Sequence, residues 1–258
     1  MPDLLRKLID DARRRIDADY YAVLESIEHD PISLKRAIKS AERNAIIAEI
    51  KPISPTRGAL RPHIDPVKAA SQMQNGGAIA LSILTEPDNF GGSLENLRRV
   101  RERVALPLLM KDTIIHEKQI EAARKIGADC VLLIEMAFSQ YPIASLNRFV
   151  RNAHAQDLEV LLEVHSKDEI ERALKSEADI IGVSNRNLST LETNLDTTLR
   201  LMEKIELQGD KALISVSGFE SAEDIRRVKT ARVDGFLIGS SLMLSEDIER
   251  KTREFVLA

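Results

Sequence analysis

A short apolar run recurs eight times along this chain, and a more polar stretch separates each run from the next. The runs are rich in Val, Ile and Leu and are nearly continuous in their apolar character. This is typical of strands in a parallel sheet that is covered by helices. The runs are IIAEIK from Ile46, AIALSILT from Ala78, LPLLMKD from Leu106, ADCVLLIEM from Ala128, LEVLLEV from Leu158, ADIIGVSN from Ala178, KALISVSG from Lys211 and VDGFLIGS from Val233.

Amphipathic helical stretches lie between these predicted strands. Several begin with a Ser cap and an acidic residue in the first turn, which satisfies free backbone N–H groups and suits the helix dipole. Four examples are SLENLRRVRERV, HEKQIEAARKIGA, SKDEIERALKSEA and SAEDIRRVKTARV.

Eight strand–helix units, with no linker or low-complexity tract, predict a closed (β/α)8 TIM barrel in the α/β class, and 258 residues is a usual length for one. A doubly wound open sheet is the alternative, and it is weaker because no Gly-rich dinucleotide loop follows the first strand. We expect residues 1–258 to form a single barrel domain. Residues 1–45 are expected to form a helical N-terminal extension, which either pads the barrel or helps to cover a substrate.

The composition is that of an ordinary globular protein and argues against several function classes. With a formal net charge of −4, no basic block and few aromatic residues, nucleic acid is not an expected partner. Cys130 is the single cysteine, so no disulfide can form within the chain, and no Cys/His cluster has zinc spacing. The acidic residues do not group closely enough in the sequence to predict a metal, and no cofactor is indicated.

The sequence also predicts where the protein works. The N-terminal stretch MPDLLRKLIDDARRRID carries acidic residues early and lacks a continuous apolar core, so it does not read as a signal peptide. No run of about 18 apolar residues is available to cross a membrane. We therefore expect a cytoplasmic protein without a membrane partner, and the oligomeric state stays open.

Two charged residues, Glu49 and Lys51, lie within and at the end of the first predicted strand, in the stretch IIAEIKPISPTRG. Residues two apart in a strand share a face, so this pair points the same way as Ile47. An isolated buried charge is costly, and the pair therefore needs either compensation or a function.

Barrel enzymes carry their chemistry at the C-terminal ends of the strands. Ionisable residues from the first, third and fifth predicted strands converge there, namely Glu49 with Lys51, then Lys111, then Glu163. Such a cluster can balance its own charges, and perturbed pKa values within it suit acid–base chemistry. Any other polar residue at a strand end, taken singly, is more often a solvated loop start. These others are Thr85, Asp112, Glu135, Ser184, Asn185, Arg186, Ser217, Gly218, Gly239 and Ser240.

The last two predicted strands end in the similar turns SVSGF and LIGSSLM. Glycines in such turns let backbone N–H groups approach an anion, and a following helix N-terminus adds a favourable partial charge. The loops after strands seven and eight of a barrel are a frequent phosphate site. Two turns at corresponding places therefore favour a small phosphorylated substrate.

The chain resembles the indole-3-glycerol-phosphate synthase family over nearly its whole length. The matching blocks occur in order and include the helical extension. The combination of AEIK, SILTE and LMKD is specific, whereas other phosphate-binding barrels share only the terminal glycine turns. The blocks are IIAEIKPISPTRG, LSILTEPDNFGGSLENL, PLLMKDTII, GADCVLLI, LLEV, GVSNRNLSTLETN, VSGF and FLIGSSLM.

The resemblance implies the decarboxylating and dehydrating ring closure of 1-(2-carboxyphenylamino)-1-deoxyribulose 5-phosphate in tryptophan biosynthesis. By position, Lys111 matches the family's general acid and Glu163 its catalytic carboxylate. Lys51 matches the lysine that holds the substrate carboxylate, and Glu49 matches its partner. How the two lysine–glutamate pairs divide the acid and base roles is left open. The implied substrate-binding residues are Ser54, Ser217, Gly218, Gly239 and Ser240 for the phosphate, Phe90 and Leu133 for the aromatic ring, Ser184 in the pocket, and Arg186 at its rim.

Three positions depart from the family pattern. Ser184 stands where Asn is usual, Val216 where Glu is usual, and Thr113 where Phe is frequent. Val216 cannot accept a hydrogen bond, and Ser184 has a shorter reach than Asn. The lysines and glutamates are retained, so we expect an active synthase with an altered efficiency or substrate. Two other readings stay open: a different phosphosugar barrel enzyme, such as an isomerase, and a catalytically silent barrel that serves as an interaction partner.

Overall fold

The computed structural model of the chain describes residues 4–203 and 209–258, and eight parallel strands form a closed barrel within them. The predicted barrel is confirmed, and each of the eight apolar runs coincides with one barrel strand, although β1 begins one residue before its run. A two-stranded antiparallel hairpin follows the first barrel strand. In chain order the strands are β1 (Ala45–Ile50), the hairpin strands β2 (Ile53–Ser54) and β3 (Gly58–Ala59), then β4 (Ala80–Leu84), β5 (Leu108–Lys111), β6 (Cys130–Ile134), β7 (Glu159–Val164), β8 (Ile180–Ser184), β9 (Ala212–Val216) and β10 (Gly235–Ile238).

Strand alternation divides the apolar residues into two cores. In β1, Ile47 belongs to the cluster inside the barrel, whereas Ile46 and Ala48 belong to the cluster between the strands and the helices. Strand β1 pairs with β4 on one side and with β10 on the other, which closes the barrel. Because successive side chains point to opposite faces, each strand contributes to both cores.

Helices cover the outside of the barrel, and several begin at the serine caps that the sequence predicts. Ser93, Ser166 and Ser221 each accept a hydrogen bond from the backbone N–H of the third helical residue. None of the helices in the described part of the chain has the length and apolar character needed to cross a bilayer. The helices are α1 (Leu4–Asp17), α2 (Leu34–Lys39), α3 (Pro66–Asn75), α4 (Pro87–Phe90), α5 (Leu94–Arg101), α6 (Glu117–Lys125), α7 (Glu135–Gln140), α8 (Leu146–His154), α9 (Lys167–Lys175), α10 (Asp196–Met202), α11 (Ala222–Lys229), α12 (Ser240–Leu244) and α13 (Ile248–Leu257).

The N-terminal extension is helical, as predicted, and its two helices lie at opposite ends of the barrel; its residues 1–3 lie outside the described residues. Helix α2 closes the N-terminal end, where the backbone N–H of Lys35 donates to Glu159 at the start of β7. Helix α1 lies at the C-terminal end, where Leu4 and Leu8 line the largely apolar side of a pocket. The extension therefore both pads the barrel and covers a pocket.

Arg15 of α1 fixes this helix to the barrel through a buried ion network. Its guanidinium lies 2.6 Å from Glu86, 2.7 Å from Asp88 and 3.4 Å from Asp112. Asp112 also accepts hydrogen bonds from the hydroxyl groups of Tyr21 and Thr85. These partners compensate the charge of Arg15, which is otherwise costly to bury.

We expect Arg15→Met to lower the free energy of unfolding by about 3–5 kcal/mol, because it leaves the buried carboxylates of Glu86 and Asp112 without their cation. Chemical denaturation measures this change. Arg13→Met is the matched control on the same helix, because Arg13 pairs with Asp10 at the surface and such pairs contribute at most about 1 kcal/mol. Equal losses in the two variants would contradict the assigned anchor.

Candidate active site

Two connected pockets open at the C-terminal end of the barrel, and residues at the ends of the strands line both. We call the first the acid–base pocket, because Glu49, Lys51, Lys111 and Glu163 line it together. We call the second the anion pocket. The two share a wall formed by Glu49, Lys51, Arg186, Ser217 and Leu237. One extended ligand can therefore occupy both. The anion pocket is lined further by Gly218, Gly239, Ser240, Arg57 and Arg227.

Glu49 and Lys51 form the first ion pair of the acid–base pocket, with Lys51 Nζ 2.9 Å from Glu49 Oε1. Glu49 faces the inside of the barrel and is 3% exposed, and Ser82 Oγ donates to its second oxygen at 3.4 Å. Burial by itself raises the pKa of Glu49, but the ammonium groups of Lys51 and Lys111 outweigh burial and hold this pKa below its usual value. Glu49 is therefore a carboxylate at neutral pH.

Lys111 and Glu163 form the second pair, with Lys111 Nζ 3.4 Å from Glu163 Oε2. Burial tends to lower the pKa of Lys111, yet the Glu163 and Glu49 carboxylates raise it above the usual lysine value. Burial likewise raises the pKa of Glu163, while the Lys111 ammonium and the nearby His165 lower it well below its usual range. The pair is thus an ammonium beside a carboxylate at neutral pH, and each charge stabilises the other.

His165 is the charged residue of this cluster that the sequence analysis did not identify. Its Nε2 lies 3.3 Å from Glu163 Oε1, and its Nδ1 lies 3.5 Å from Glu169 Oε2. Burial lowers the pKa of His165, but the Glu163 and Glu169 carboxylates raise it to about 9. The available signal was its position two residues after Glu163, in front of a helix with a first-turn glutamate.

Four more of the predicted substrate-binding residues line the acid–base pocket, namely Ser54, Phe90, Ser184 and Arg186. Ser54 was assigned to the phosphate turns, but here it lies beside Thr56 in the acid–base pocket, with 3.1 Å between the two hydroxyl oxygens. The departures Thr113 and Val216 line the same pocket.

The structure places Leu133, which was predicted to contact the aromatic ring, outside the lining of the acid–base pocket. It belongs to the core between strands and helices, whereas Leu132 and Ile134 belong to the inner core and line the acid–base pocket. Adjacent strand residues point to opposite faces, so Leu133 cannot share the face of its neighbours. The apolar contact expected from Leu133 therefore falls to Leu132 and Ile134.

Four of the polar residues at strand ends form hydrogen bonds or ion pairs that hold the scaffold together, and one of them, Asp112, also lines the acid–base pocket. Glu135 accepts two hydrogen bonds from Arg172 of α9, at 2.6 and 2.9 Å. Thr85 and Asp112 belong to the Arg15 network, and Asn185 donates to Ser215 Oγ and to the carbonyl oxygen of Ser217. Carboxylates of Asp11, Glu86 and Asp88 approach one another within 4.8 Å, but neighbouring arginines already balance them.

The anion pocket combines glycine turns with three arginines. Ser217 and Gly218 have φ of 72° and 95°, and a non-glycine residue in this left-handed region is strained and is typical of functional sites. A Cβ on Gly218 would lie 2.6 Å from Thr193 Cγ2, so no larger residue fits. Arg57, Arg186 and Arg227 line this pocket; Arg57 forms an ion pair with Glu220, and Arg227 forms one with Asp196. This pocket is suited to an anion such as a phosphate.

Gly239 connects the two pockets through Glu49. A Cβ on Gly239 would lie 2.5 Å from Glu49 Oε1 and 3.2 Å from Glu49 Cδ. The φ of Gly239, −127°, is outside the left-handed region, and the close approach of Glu49 leaves no space for a side chain at this position. The glycine that borders the anion pocket thereby also leaves room for the Glu49–Lys51 pair.

We expect Gly239→Ala to displace Glu49 and to lower kcat by about 10²-fold, the usual effect of misplacing a catalytic group by about 1 Å. Steady-state kinetics and inhibition by inorganic phosphate are measured on the same sample. An unchanged kcat with weakened phosphate inhibition would show that Gly239 serves the anion alone and would contradict the link to Glu49.

A closed parallel barrel with paired lysines and glutamates in its mouth, next to glycine turns, defines a (β/α)8-barrel enzyme with acid–base groups and an anion pocket. Solved structures share this fold. Thiamine phosphate pyrophosphorylase from Pyrococcus furiosus has a TM-score of 0.59 at 19% identity. The match spans 86% of this chain and 96% of the pyrophosphorylase chain. The N-acetylmannosamine-6-phosphate 2-epimerase from Clostridium perfringens has a TM-score of 0.60 at 12% identity, with coverage of 84% and 93%.

The chain belongs to the indole-3-glycerol phosphate synthase family, whose family model matches residues 5–255. Its relatives include proteins named indole-3-glycerol phosphate synthase from three distant organisms. The Polaromonas naphthalenivorans protein is 38% identical over 257 residues, which is 96% of each chain. The Koribacter versatilis protein is 37% identical over 99% of this chain and 100% of its own. The Methanocaldococcus jannaschii protein is 44% identical over 88% of this chain and 84% of its own. The resemblance seen in the sequence is confirmed, and with it the assignment to a carboxy-lyase of tryptophan biosynthesis.

Proposed function

We propose that this chain closes the indole ring of 1-(2-carboxyphenylamino)-1-deoxyribulose 5-phosphate in its acid–base pocket, with Lys51, Lys111, Glu49 and Glu163 as the reacting groups. The observation that carries the proposal is the placement of two lysine–glutamate pairs in one pocket, connected to a second pocket suited to an anion. The proposed setting is the cytoplasm, which rests on the sequence pattern alone.

The reaction needs a cation at the substrate carboxylate and an acid at its carbonyl. A carbon–carbon bond forms between the aromatic ring and the carbonyl carbon, carbon dioxide leaves from the ring, and water leaves to complete the indole. Lys51, 15% exposed at its side chain, is accessible to a carboxylate while it stays paired with Glu49. Lys111 is the proposed general acid, because it is charged and borders the same space.

Glu163 and Glu49 are the proposed proton acceptors. Both are ionised in the resting site, because lysines hold their pKa values below the usual range despite burial. After a lysine has donated its proton to the substrate, the facing carboxylate can accept a proton from the substrate and pass it to the neutral amine. Glu163 faces Lys111 and Glu49 faces Lys51, so each half of the pocket holds one acid with one base.

The two pockets suit the two ends of this substrate. Leu132, Ile134 and Phe90 offer apolar contact to the carboxyphenyl ring, and Leu8 of α1 adds contact from above. The glycine turns and Ser240 would hold the phosphate in the anion pocket, with Arg186 at the boundary. The ribulose carbons would then lie between the two pairs.

Direct assay tests this proposal. The purified chain is incubated with the carboxyphenylamino substrate, and indole fluorescence is followed together with release of carbon dioxide. Formation of both in equal amounts supports the proposal. Turnover of only a phosphosugar that lacks the carboxyphenyl group would support an isomerase-like barrel, and phosphate binding without any turnover would support a silent one.

We expect Lys111→Ala to lower kcat by roughly 10²-fold or more with a smaller change in KM, because a general acid acts mainly in the transition state. Stopped-flow fluorescence provides both constants. Lys118→Ala, at an exposed lysine of α6, is the control and should leave both constants unchanged. Near-normal turnover of Lys111→Ala would remove this lysine from the proposed mechanism.

The departures at Ser184 and Val216 lie side by side, because the two residues are register partners on β8 and β9. Both are buried and line the acid–base pocket. We expect the double change Ser184→Asn with Val216→Glu to raise kcat/KM by about tenfold, because two additional hydrogen bonds to the substrate together stabilise the transition state by the free energy that corresponds to this factor. The pair is changed together, since neighbours do not add independently.

Melting is measured alongside, because a new buried glutamate without a partner costs stability. A double variant that melts normally and turns over more slowly would show that the pocket is already complete with Ser184 and Val216.

A further inference from the structure

His165 lies immediately behind Glu163 and does not line either pocket. It follows strand β7 and precedes helix α9, and its side chain is 7% exposed. Its ring lies between two carboxylates, with Nε2 at 3.3 Å from Glu163 Oε1 and Nδ1 at 3.5 Å from Glu169 Oε2. Neither contact meets the criteria for a hydrogen bond, so the attraction is that of ion pairs.

This arrangement selects the doubly protonated ring. A neutral imidazole has one N–H and one lone pair, so it would turn a lone pair toward one of the two carboxylates. The imidazolium has an N–H on each nitrogen and places positive charge between both partners. Water cannot screen the repulsion between such a lone pair and the carboxylate, because the side chains of His165, Glu163 and Glu169 are all less than 10% exposed.

Helix α9 holds Glu169 in place. Glu169 Oε2 accepts the backbone N–H of His165 at 2.9 Å, and its Oε1 accepts Ser166 Oγ at 3.0 Å. Ser166 in turn caps the helix by accepting the backbone N–H of Glu169. The anion that pairs with His165 is thus part of the helix cap and cannot turn away without breaking that cap.

We propose that His165 is a positioning residue for the reaction proposed above: as an imidazolium fixed by Glu169, it holds the Glu163 carboxylate in its direction toward Lys111. One oxygen of Glu163 faces His165 and the other faces Lys111. With both oxygens engaged, the carboxylate has one orientation and stays ionised. A cation at this position also offsets the repulsion between Glu163 and Glu49.

The charged groups around this arrangement set its pH dependence. Lys111, Glu49 and Arg186 act on Glu163 from the pocket side, while Glu163 and Glu169 act on His165. Since the pKa of His165 is raised from 6.5 to about 9, the folded chain binds more protons than the unfolded chain between these values. The stability contributed by His165 is therefore fully present below about pH 6.5 and is lost as the pH rises through about 9.

Two variants and one control test the proposal. His165→Gln keeps a hydrogen-bond donor and removes the charge. Glu169→Gln keeps the cap acceptor and removes the anion that holds His165 charged. Glu171→Gln removes an equal charge from an exposed position of the same helix, where Glu171 pairs only with Lys167 at 3.4 Å, and should change nothing. The pH profile of kcat is measured for all three and for the unmodified chain.

We expect His165→Gln to lower kcat by about tenfold, the usual scale for losing an interaction with a charged group, with KM little changed. The acidic limb of the pH profile of kcat should move to higher pH in this variant, because Glu163 becomes easier to protonate. In Glu169→Gln the basic limb should move to lower pH, because His165 loses its proton more readily. Unmoved limbs in both variants, or equal shifts in Glu171→Gln, would overturn the proposal.

Histidine NMR tests the arrangement without relying on turnover. The His165 ring signal is assigned among the five histidines by its loss in His165→Gln, or, if that variant does not fold, by elimination after single replacement of each of the other four. A His165 ring that is doubly protonated at pH 8 in the unmodified chain, and neutral there in Glu169→Gln, supports the proposal. A neutral ring at pH 7 in the unmodified chain overturns it. If the unmodified chain does not convert the carboxyphenylamino substrate, the proposed function fails while this readout still decides the arrangement.

Discussion

Charge compensation inside the barrel mouth is the constraint on which the site depends. Glu49 and Glu163 are almost completely buried, and neither could remain ionised there without a cation. Lys51 and Lys111 supply these cations from two different strands, and His165 supplies a third from behind. Because each charge depends on its neighbours, the cluster is stable as a group and is unstable if one member is lost. The same property makes it suited to moving protons, since a proton that leaves one member is accepted by another at short distance.

A second network supports the first from the outside. Lys111 and the next residue, Asp112, both line the acid–base pocket, and Asp112 also pairs with Arg15 of helix α1. One strand end therefore carries both a proposed catalytic group and the anchor of the helix that covers it. Helix α1 in turn contributes Leu4 and Leu8 to the pocket lining. We infer that the N-terminal extension is part of the site, and that its attachment and the position of Lys111 depend on the same short loop.

The barrel could be predicted from the sequence because each strand is a nearly continuous apolar run and several of the helices between the strands begin at a serine cap. Strand alternation predicted that Glu49 shares a face with Lys51 and Ile47, and the structure shows that this face points into the barrel. The same alternation was not applied to Leu133, and the pocket contact falls instead to its neighbours Leu132 and Ile134. His165 could not be found in this way, because it lies beyond the end of its strand and its second partner, Glu169, comes from the following helix. The Arg15 network joins residues far apart in the chain, and no local pattern indicates such a contact.

The central claim is that one substrate spans both pockets, with its phosphate at the glycine turns and its carboxylate at Lys51. A crystal structure of the Lys111→Ala variant with the carboxyphenylamino substrate bound tests it most directly. We predict the phosphate within hydrogen-bond distance of the Gly218 or Ser240 backbone N–H, and the carboxylate within 4 Å of Lys51 Nζ, the limit of an ion pair. The aromatic ring should contact Leu132 and not Leu133. A phosphate bound outside the anion pocket, or a substrate in the reverse orientation, would contradict the assignment of the two pockets.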